Sequence, residues 1–319
     1  MRVSVAMCTY NGERYLQQQL DSLASQTYLP SELVVCDDRS TDSTPQIIRC
    51  FAASSPFSVR FVQNRRNIGS TANFNQAVAL CEGELIALCD QDDIWRQDKL
   101  FMQVMCFKRH PHLGGVFSDG DLIDSHSKSM NLSLWDSLDF TPLMRKQVLA
   151  GSPLLALARR NFVTGATLIF KANLREYFSP VPEEWVHDGW IAWKICTYSQ
   201  LYPIADHLVS YRIHANNQIG VNLQSSGTLL RTRDQKVVVR LNQEELSRMI
   251  CLLDSTSQGT MPEEILTRKL IERRILFLQS RISIVQQPSF FRLASLMLQA
   301  GNYMHFAKGW RSMIGDLLA

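Results

Sequence analysis

The eight cysteines form no CxxC pair, no stretch supplies the ~18 uncharged apolar residues of a membrane span, and no repeat or low-complexity tract occurs. A disulfide framework, a zinc ribbon, a spanning helix and a solenoid are thereby set aside. Glycine is sparse where two enzyme classes need it. Only Gly12 follows the first strand-like run, so neither the GxGxxG of a dinucleotide fold nor a triphosphate-wrapping loop is available. This disfavours a sugar-phosphate nucleotidyltransferase, and a dehydrogenase more strongly. Excess charge is also scarce: 33 Lys and Arg face 30 Asp and Glu, a net of +3, so nucleic acid is not an expected partner.

What is present is an ordinary globular composition over 319 residues, 45% hydrophobic, with ample material for a core. Cysteines within apolar runs, such as Leu85-Ile86-Ala87-Leu88-Cys89, fit buried reduced thiols in a cytoplasmic protein. The start, Met1-Arg2-Val3-Ser4-Val5-Ala6, enters a strand-like run without the features of a signal peptide.

From residue 3 to 117, short apolar runs alternate with longer amphipathic segments, the pattern of a parallel sheet covered by helices. Strands are predicted at Val3–Met7, Leu33–Cys36, Val59–Val62, Leu85–Cys89 and Gly115–Phe117, and helices at 13–25, 43–53, 70–80 and 97–109. Asp98 is placed to cap the last of these helices. Residues 118–160 read as an irregular insertion, more helical from Trp135 to Leu157. A strand at Thr164–Phe170, a short helix, the Pro180-Val181-Pro182 loop, a helix from near Asp188, and strands at Leu201–Ile204 and Leu208–Arg212 follow.

Beyond residue 222 the strand signals stop, and helices are predicted at 226–256, 262–286 and 289–315. Charge follows the same division: residues 1–221 hold 20 basic and 22 acidic side chains, residues 222–319 hold 13 and 8. The expected architecture is therefore an α/β domain over 1–221, with a mostly parallel central sheet flanked by helices, and a basic helical region over 222–319.

The chemistry concentrates after strand-like runs. In Leu88-Cys89-Asp90-Gln91-Asp92-Asp93-Ile94-Trp95 three carboxylates follow an apolar strand, where ligands of open α/β sheets bind. Such a cluster repels itself unless a cation or ligand neutralises it, and hard oxygen donors suit Mg²⁺ or Mn²⁺ on a diphosphate. The alternative is a solvated acidic turn. Cys8-Thr9-Tyr10-Asn11-Gly12 and Cys36-Asp37-Asp38-Arg39-Ser40-Thr41-Asp42-Ser43-Thr44 place hydroxyl, amide and carboxylate groups at two further strand ends. A carboxylate there can accept the imide N–H of uracil or thymine, and each segment can equally be a turn and helix cap.

Taken in order, CTYNGERYLQQQLDSLASQT, CDDRSTDST, NIGSTANFNQA, LCDQDDIW, FVTGATLIF and HDGWIAW resemble the family 2 glycosyltransferases, which have the GT-A fold. The likeness covers about residues 1–220. Within that family the sequence is most similar to bacterial rhamnosyltransferase-like enzymes of surface polysaccharide synthesis. The resemblance implies that Cys8, Thr9, Tyr10 and Asn11 line a nucleotide pocket, and that Asp38 or its neighbour Asp37 holds the base. Asn67, Gly69 and Asn73 would lie beside the donor, with Gly69 permitting close backbone approach. Asp90 and Asp92 match the DxD motif, Asp92 as the direct ligand of Mn²⁺ or Mg²⁺ and Asp90 towards the ribose, with Asp93 assisting. His187-Asp188 matches the position of the catalytic base, and Asp188 could instead only cap the helix it begins. In Tyr211-Arg212-Ile213-His214-Ala215-Asn216-Asn217, His214 would complete the metal shell or touch the diphosphate, and Arg212 would stabilise the departing phosphate. The QxxRW segment of processive synthases is missing, which favours addition of one or a few sugars.

The implied reaction is inverting transfer of a sugar, best assigned as L-rhamnose from dTDP-rhamnose, to a hydroxyl of a glycan or lipid-linked oligosaccharide. A non-catalytic sugar-nucleotide-binding module is the competing reading. Trp185, Trp190 and Trp193 could stack on an acceptor or fill the core. The basic helical tail would either pack plainly or touch lipid at the inner face of the plasma membrane, with Phe290–Phe306 the contacting stretch.

Overall fold

The computed structural model of this chain describes residues 1–214, 234–256 and 262–319. Ala215–Asn217 of the motif above, the start of the helix predicted from 226, and the 221/222 boundary lie outside the described residues. The chain divides into two units, Met1–Gly151 with Phe162–Val221, and Ser152–Asn161 with Asn222–Ala319.

In the first unit the elements run β1 (Val3–Thr9), α1 (Leu16–Ala24), β2 (Glu32–Asp37), α2 (Thr44–Ser54), β3 (Ser58–Gln63), α3 (Ser70–Leu80), β4 (Leu85–Cys89), β5 (Ile94–Trp95), α4 (Lys99–Arg109), β6 (Leu113–Ile123), β7 (Ser129–Ser133), α5 (Leu134–Ser137) and α6 (Pro142–Leu149). They are ordered by simple chemistry. β1 and β4 are buried along their whole length, as strands covered on both faces by helices must be. α1 repeats buried Leu16, Gln19, Leu20 and Leu23 at helical spacing, and Pro45 pre-sets the first turn of α2.

The sheet order is β3-β2-β1-β4-β8-β6-β9-β5, with β7 hydrogen-bonded to β6. β8 is Ile169–Lys171, and β9 is Gln200–Arg212. β3, β2, β1 and β4 are mutually parallel, β8 is antiparallel to both β4 and β6, and β6 is parallel to β9. Consequently β1, β2, β4, β6 and β9 all end at one edge of the sheet. Loops carrying Tyr10, Asp38, Asp90, Asp124 and His214 gather there.

Several expectations are corrected. β6 runs to Ile123, well beyond the predicted Phe117, into what read as an irregular insertion. The two short strands at 201–204 and 208–212 are one strand, β9, because register shifts opposite Ser118–Gly120 absorb the polar Ala205-Asp206-His207 step. Gly120 is required at that point, since a Cβ would lie 2.6 Å from the Val209 carbonyl oxygen. The predicted strand from Thr164 begins instead as a 3-10 turn at Gly165–Thr167, closed by Thr167 donating both its amide and hydroxyl to the Thr164 carbonyl. Asp98 stands before α4 without capping it, because Arg96 engages both carboxylate oxygens at 2.5 and 3.0 Å.

The second unit begins with α7 (Pro153–Leu157), whose following Arg159 donates to the carbonyls of His305 and Met304 at 2.8 and 2.6 Å. After α8 (Arg175–Phe178) and α9 (His187–Tyr198) of the first unit, it continues as α10 (Gln235–Ser255), α11 (Pro262–Gln286), α12 (Ser289–Leu298), α13 (Ala300–Phe306) and α14 (Trp310–Leu318). The single helix predicted over 289–315 is three, divided at Gln299 and at Gly309, whose φ of +61° no helix allows. Asp316 anchors this unit, salt-bridged to Arg281 at 2.6 Å and accepting the Tyr303 hydroxyl at 2.6 Å.

Candidate active site

The loop after β4 supplies the carboxylates. Asp90 and Asp92 are partly exposed and Asp93 is buried. Burial, then the charges of Asp92 and Asp188, push the Asp90 carboxyl up to about 7. Burial also raises Asp93, further raised by Asp92 and Asp90, although the Arg212 amide donates to its Oδ1 at 2.9 Å. Asp188, from the first turn of α9, is thus close enough for Asp90 to feel its charge. Asp188 accepts from the Gly189 amide at 2.5 Å and from the Gly165 amide at 3.3 Å, so it also satisfies amides at a helix start.

Asp92 Oδ2 and His214 Nε2 are 2.8 Å apart, which brings the DxD segment and the end of β9 together. The imidazole of His214 lies against Tyr15, with ring centres 5.0 Å apart, and the Arg212 guanidinium lies 4.5 Å from the same tyrosine ring.

Arg212 does not do what the sequence suggested. It is 0% exposed and its guanidinium donates to the Asp92 and Asp124 carbonyls, the Ser127 hydroxyl and Gln18 Oε1. It is an internal strut joining four segments at the rim. A phosphate contact is replaced by bracing of the loop that phosphate would approach.

The loops after β1 and β2 are stitched together by their own polar groups. Asp37 is saturated, accepting from the Thr9 hydroxyl, the Ser40 amide and hydroxyl, and Gln63. Asp38 accepts from the Ile68 and Gly69 amides at 2.8 Å each and from Asn64 at 3.0 Å. Three of about four acceptor positions are filled, so Asp38 keeps capacity for one more donor. Asn73 is buried, donating to the Cys36 carbonyl and accepting from Asn64, which removes it from the donor-facing set. Cys8 is likewise buried, its thiol pushed up by burial. Asn11 links the loops through the Ser40 hydroxyl and the Thr41 amide, while Tyr10 and Asn67 remain exposed. Gly69 is needed for its φ of +82°, with open space about it rather than a close neighbour. Asn11 and Arg39 also hold positive φ, placing strained backbone on two adjoining site loops.

Four contributors escaped sequence reasoning. Gln91 accepts from the Tyr10 amide and donates to the Tyr10 carbonyl, at 2.9 and 3.1 Å. Tyr15 and Gln18 support His214 and Arg212. Lys99 is fully buried, with Nζ 3.1 Å from the centre of the Trp95 ring. Burial pulls its pKa down to about 7, opposed by Cys89, Asp93 and Asp90. Its signal was available: Lys99 lies on the stripe with Leu100, Gln103, Val104 and Phe107 that α4 buries. The three tryptophans are core, Trp190 donating to the Phe178 carbonyl, so none offers an acceptor platform.

His187 is buried, stacked 3.9 Å from Phe74, with both ring nitrogens unpartnered among the described residues. Burial lowers its pKa to about 3. The unfolded chain takes up this proton near pH 6.5 and the folded chain does not, so stability is present above 6.5 and lost as pH falls towards 3. In denaturant titrations, His187→Leu is expected to flatten the acid-side slope of stability over that window; an unchanged slope would refute the buried neutral imidazole.

A divalent cation fits these donors. Asp93 Oδ2 is buried without a hydrogen-bond partner among the described residues, and Mg²⁺ and Mn²⁺ commonly take one or two protein carboxylates with phosphate oxygens completing the shell. No three ligating groups among the described residues already converge on one point. Asp92, with Asp90 and His214 adjacent, would therefore share the ion with a bound diphosphate.

Compared with known proteins, residues 4–158 match the family model described as glycosyl transferase family 2. An uncharacterized protein of Mycobacterium bovis is 30% identical over 217 residues, 67% of this chain and 59% of the relative, so this chain spans less than two thirds of that relative's length. The Escherichia coli protein named UDP-Glc:alpha-D-GlcNAc-diphosphoundecaprenol beta-1,3-glucosyltransferase is 31% identical over 125 residues, 39% of this chain and 48% of that one. The solved structure of a mannosyltransferase from Pyrobaculum calidifontis, in complex with GDP-Man and Mn²⁺, superposes with a TM-score of 0.57 at 20% identity, covering 99% of this chain and 85% of that one. The fold is GT-A-like, as the sequence resemblance implied, with helices following the sheet.

Proposed function

We propose that this chain is a metal-dependent, inverting family 2 glycosyltransferase that moves a sugar from a nucleoside diphosphate to a hydroxyl of a growing surface polysaccharide or lipid-linked glycan. The catalytic work is placed in residues 1–221. The observation that carries the reading is the convergence of Asp90, Asp92, Asp188 and His214 at one sheet edge, with Asp188 near enough to raise the Asp90 carboxyl. The match to glycosyl transferase family 2 over residues 4–158 supports it.

In this reading the base of the nucleotide donates its imide N–H to Asp38, the partner with acceptor capacity left, rather than to saturated Asp37. Tyr10 and Asn67 flank it. A bound Mg²⁺ or Mn²⁺ would neutralise charge on the leaving diphosphate. Asp188 takes the proton from the acceptor hydroxyl as its oxygen attacks the anomeric carbon, and the bond from that carbon to the diphosphate oxygen breaks with its electron pair leaving on the phosphate. One displacement inverts the centre. Arg212, through the Asp92 carbonyl and the Asp93 contact, keeps the acidic loop in place while this happens.

The donor assigned is dTDP-β-L-rhamnose, which would give an α-L-rhamnoside. The support is the order and wording of the motifs. The test is a panel of dTDP-rhamnose, UDP-glucose, UDP-galactose and GDP-mannose, scored for nucleoside diphosphate release with Mn²⁺ and with chelator. Release from dTDP-rhamnose alone, abolished by chelator, is expected. Faster release from another sugar nucleotide overturns the rhamnose assignment; metal-dependent binding with no release from any donor identifies a non-catalytic module.

A further inference from the structure

Two of the last three helices, α12 and α14, are built the wrong way round for water. A water-facing helix presents polar residues outward. On α12 the exposed side chains are Phe291, Leu293, Ala294, Met297 and Leu298, which together span roughly 160° of the helix at 100° per residue. Leu298 is 87% exposed, Met297 69% and Phe291 60%. The charged residue of the helix is inside: Arg292 is buried and donates to the carbonyls of Gln287, Asp316 and Leu317. On α14, Trp310 and Ile314 are exposed in the same manner.

We infer that α12–α14 dock on a membrane surface bearing anionic phospholipids. Charge selects this partner. From residue 287 onward the only acidic side chain is Asp316, and it is buried and neutralised by Arg281. The exposed charges are Lys308 and Arg311, which flank Trp310. Aromatic and aliphatic side chains beside cations, without carboxylates, suit the boundary between anionic headgroups and acyl chains. A second copy of this face would bring like charges together, with no exposed acidic side chain from residue 287 onward to meet them. No helix among the described residues is long and apolar enough to cross a membrane, so the contact is an interfacial one.

The inference stands apart from the transferase reading, since none of these residues belongs to the aspartate site. It is tested by floating the full chain with vesicles of phosphatidylcholine alone or mixed with phosphatidylglycerol. Binding to the mixed vesicles is expected, weakening with salt. Lys308→Glu with Arg311→Glu should cut that binding by at least ~25-fold, about fivefold for each cation. Met297→Glu with Leu298→Glu should abolish it, with the thermal midpoint and any donor turnover kept, because both side chains are already in water. Three results would overturn the inference: no flotation with either vesicle; equal binding by the Met297→Glu, Leu298→Glu variant; or a concentration-dependent dimer, seen by light scattering, that this variant dissolves.

Discussion

Asp188→Asn is expected to lower turnover by about 10²–10⁴-fold, the usual contribution of a positioned general base, while donor affinity and fold persist. The substitution is nearly isosteric, and the asparagine oxygen can still accept from the Gly189 or Gly165 amide. What it loses is the ability to hold the acceptor's proton. The structural cost is confined to removal of a negative charge from the first turn of α9, about 0.3–1 kcal/mol. Rates at saturating donor, with donor affinity from calorimetry, separate the roles. A variant that turns over normally, or one whose only defect is weaker donor binding, would remove Asp188 from the role of base and leave it as a helix-start residue.

Arg212→Met is expected to produce the largest loss of stability, about 3–5 kcal/mol, because several buried acceptors lose their donor at once, each at a cost of about 1–3 kcal/mol. Methionine fills much of the space but leaves the carbonyls of Asp92 and Asp124, the Ser127 hydroxyl and Gln18 Oε1 without the donor they face. Arg212→Lys should recover only a minority of this, since an ammonium has no planar fork with which to reach four acceptors in different directions. Guanidinium titrations give the comparison. A methionine variant of normal stability that binds donor poorly would restore the phosphate-contact role that the buried geometry contradicts.

The contrast between these two residues shows what a sequence discloses. Asp188, Asp90 and Asp92 are marked by short local motifs, and the roles proposed for them rest on residue type and position alone. The strands β1, β2 and β4 were equally legible, because strands buried on both faces are continuous apolar runs. Arg212 was misread because a cation after a strand looks the same whether it faces phosphate or four internal oxygens, and its partners lie at Gln18, Asp92, Asp124 and Ser127. Asp37 and Asp38 were indistinguishable for the same reason. Only the donors around each, from Thr9, Ser40 and Gln63 or from Asn64, Ile68 and Gly69, decide which retains acceptor capacity. β9 was divided in two because Asp206 and His207 interrupt the apolar pattern, and a bulge tolerates such an interruption without leaving a trace in periodicity. The second break of the C-terminal helix had its marker in Gly309, but the helical spacing of the apolar residues outweighed it.

The Arg212 strut also orders events during synthesis. Its guanidinium bonds to Gln18 across 194 residues, and a ribosome adding 5–20 residues per second needs roughly 10–40 s to travel that far. The acidic loop itself waits for the 119 residues between Asp93 and Arg212, roughly 6–24 s, and over that time the nascent chain holds β1, β2 and β4 with the loop attached but unbraced. Lys99, ten residues after Cys89, is the cation that leaves the ribosome with it and partly offsets the field of Asp90 and Asp93. A chain stopped before β9 therefore has β1 to β4 and its acidic loop but not the brace. Among the described residues, the last strand made is thus the one that braces the loop after β4.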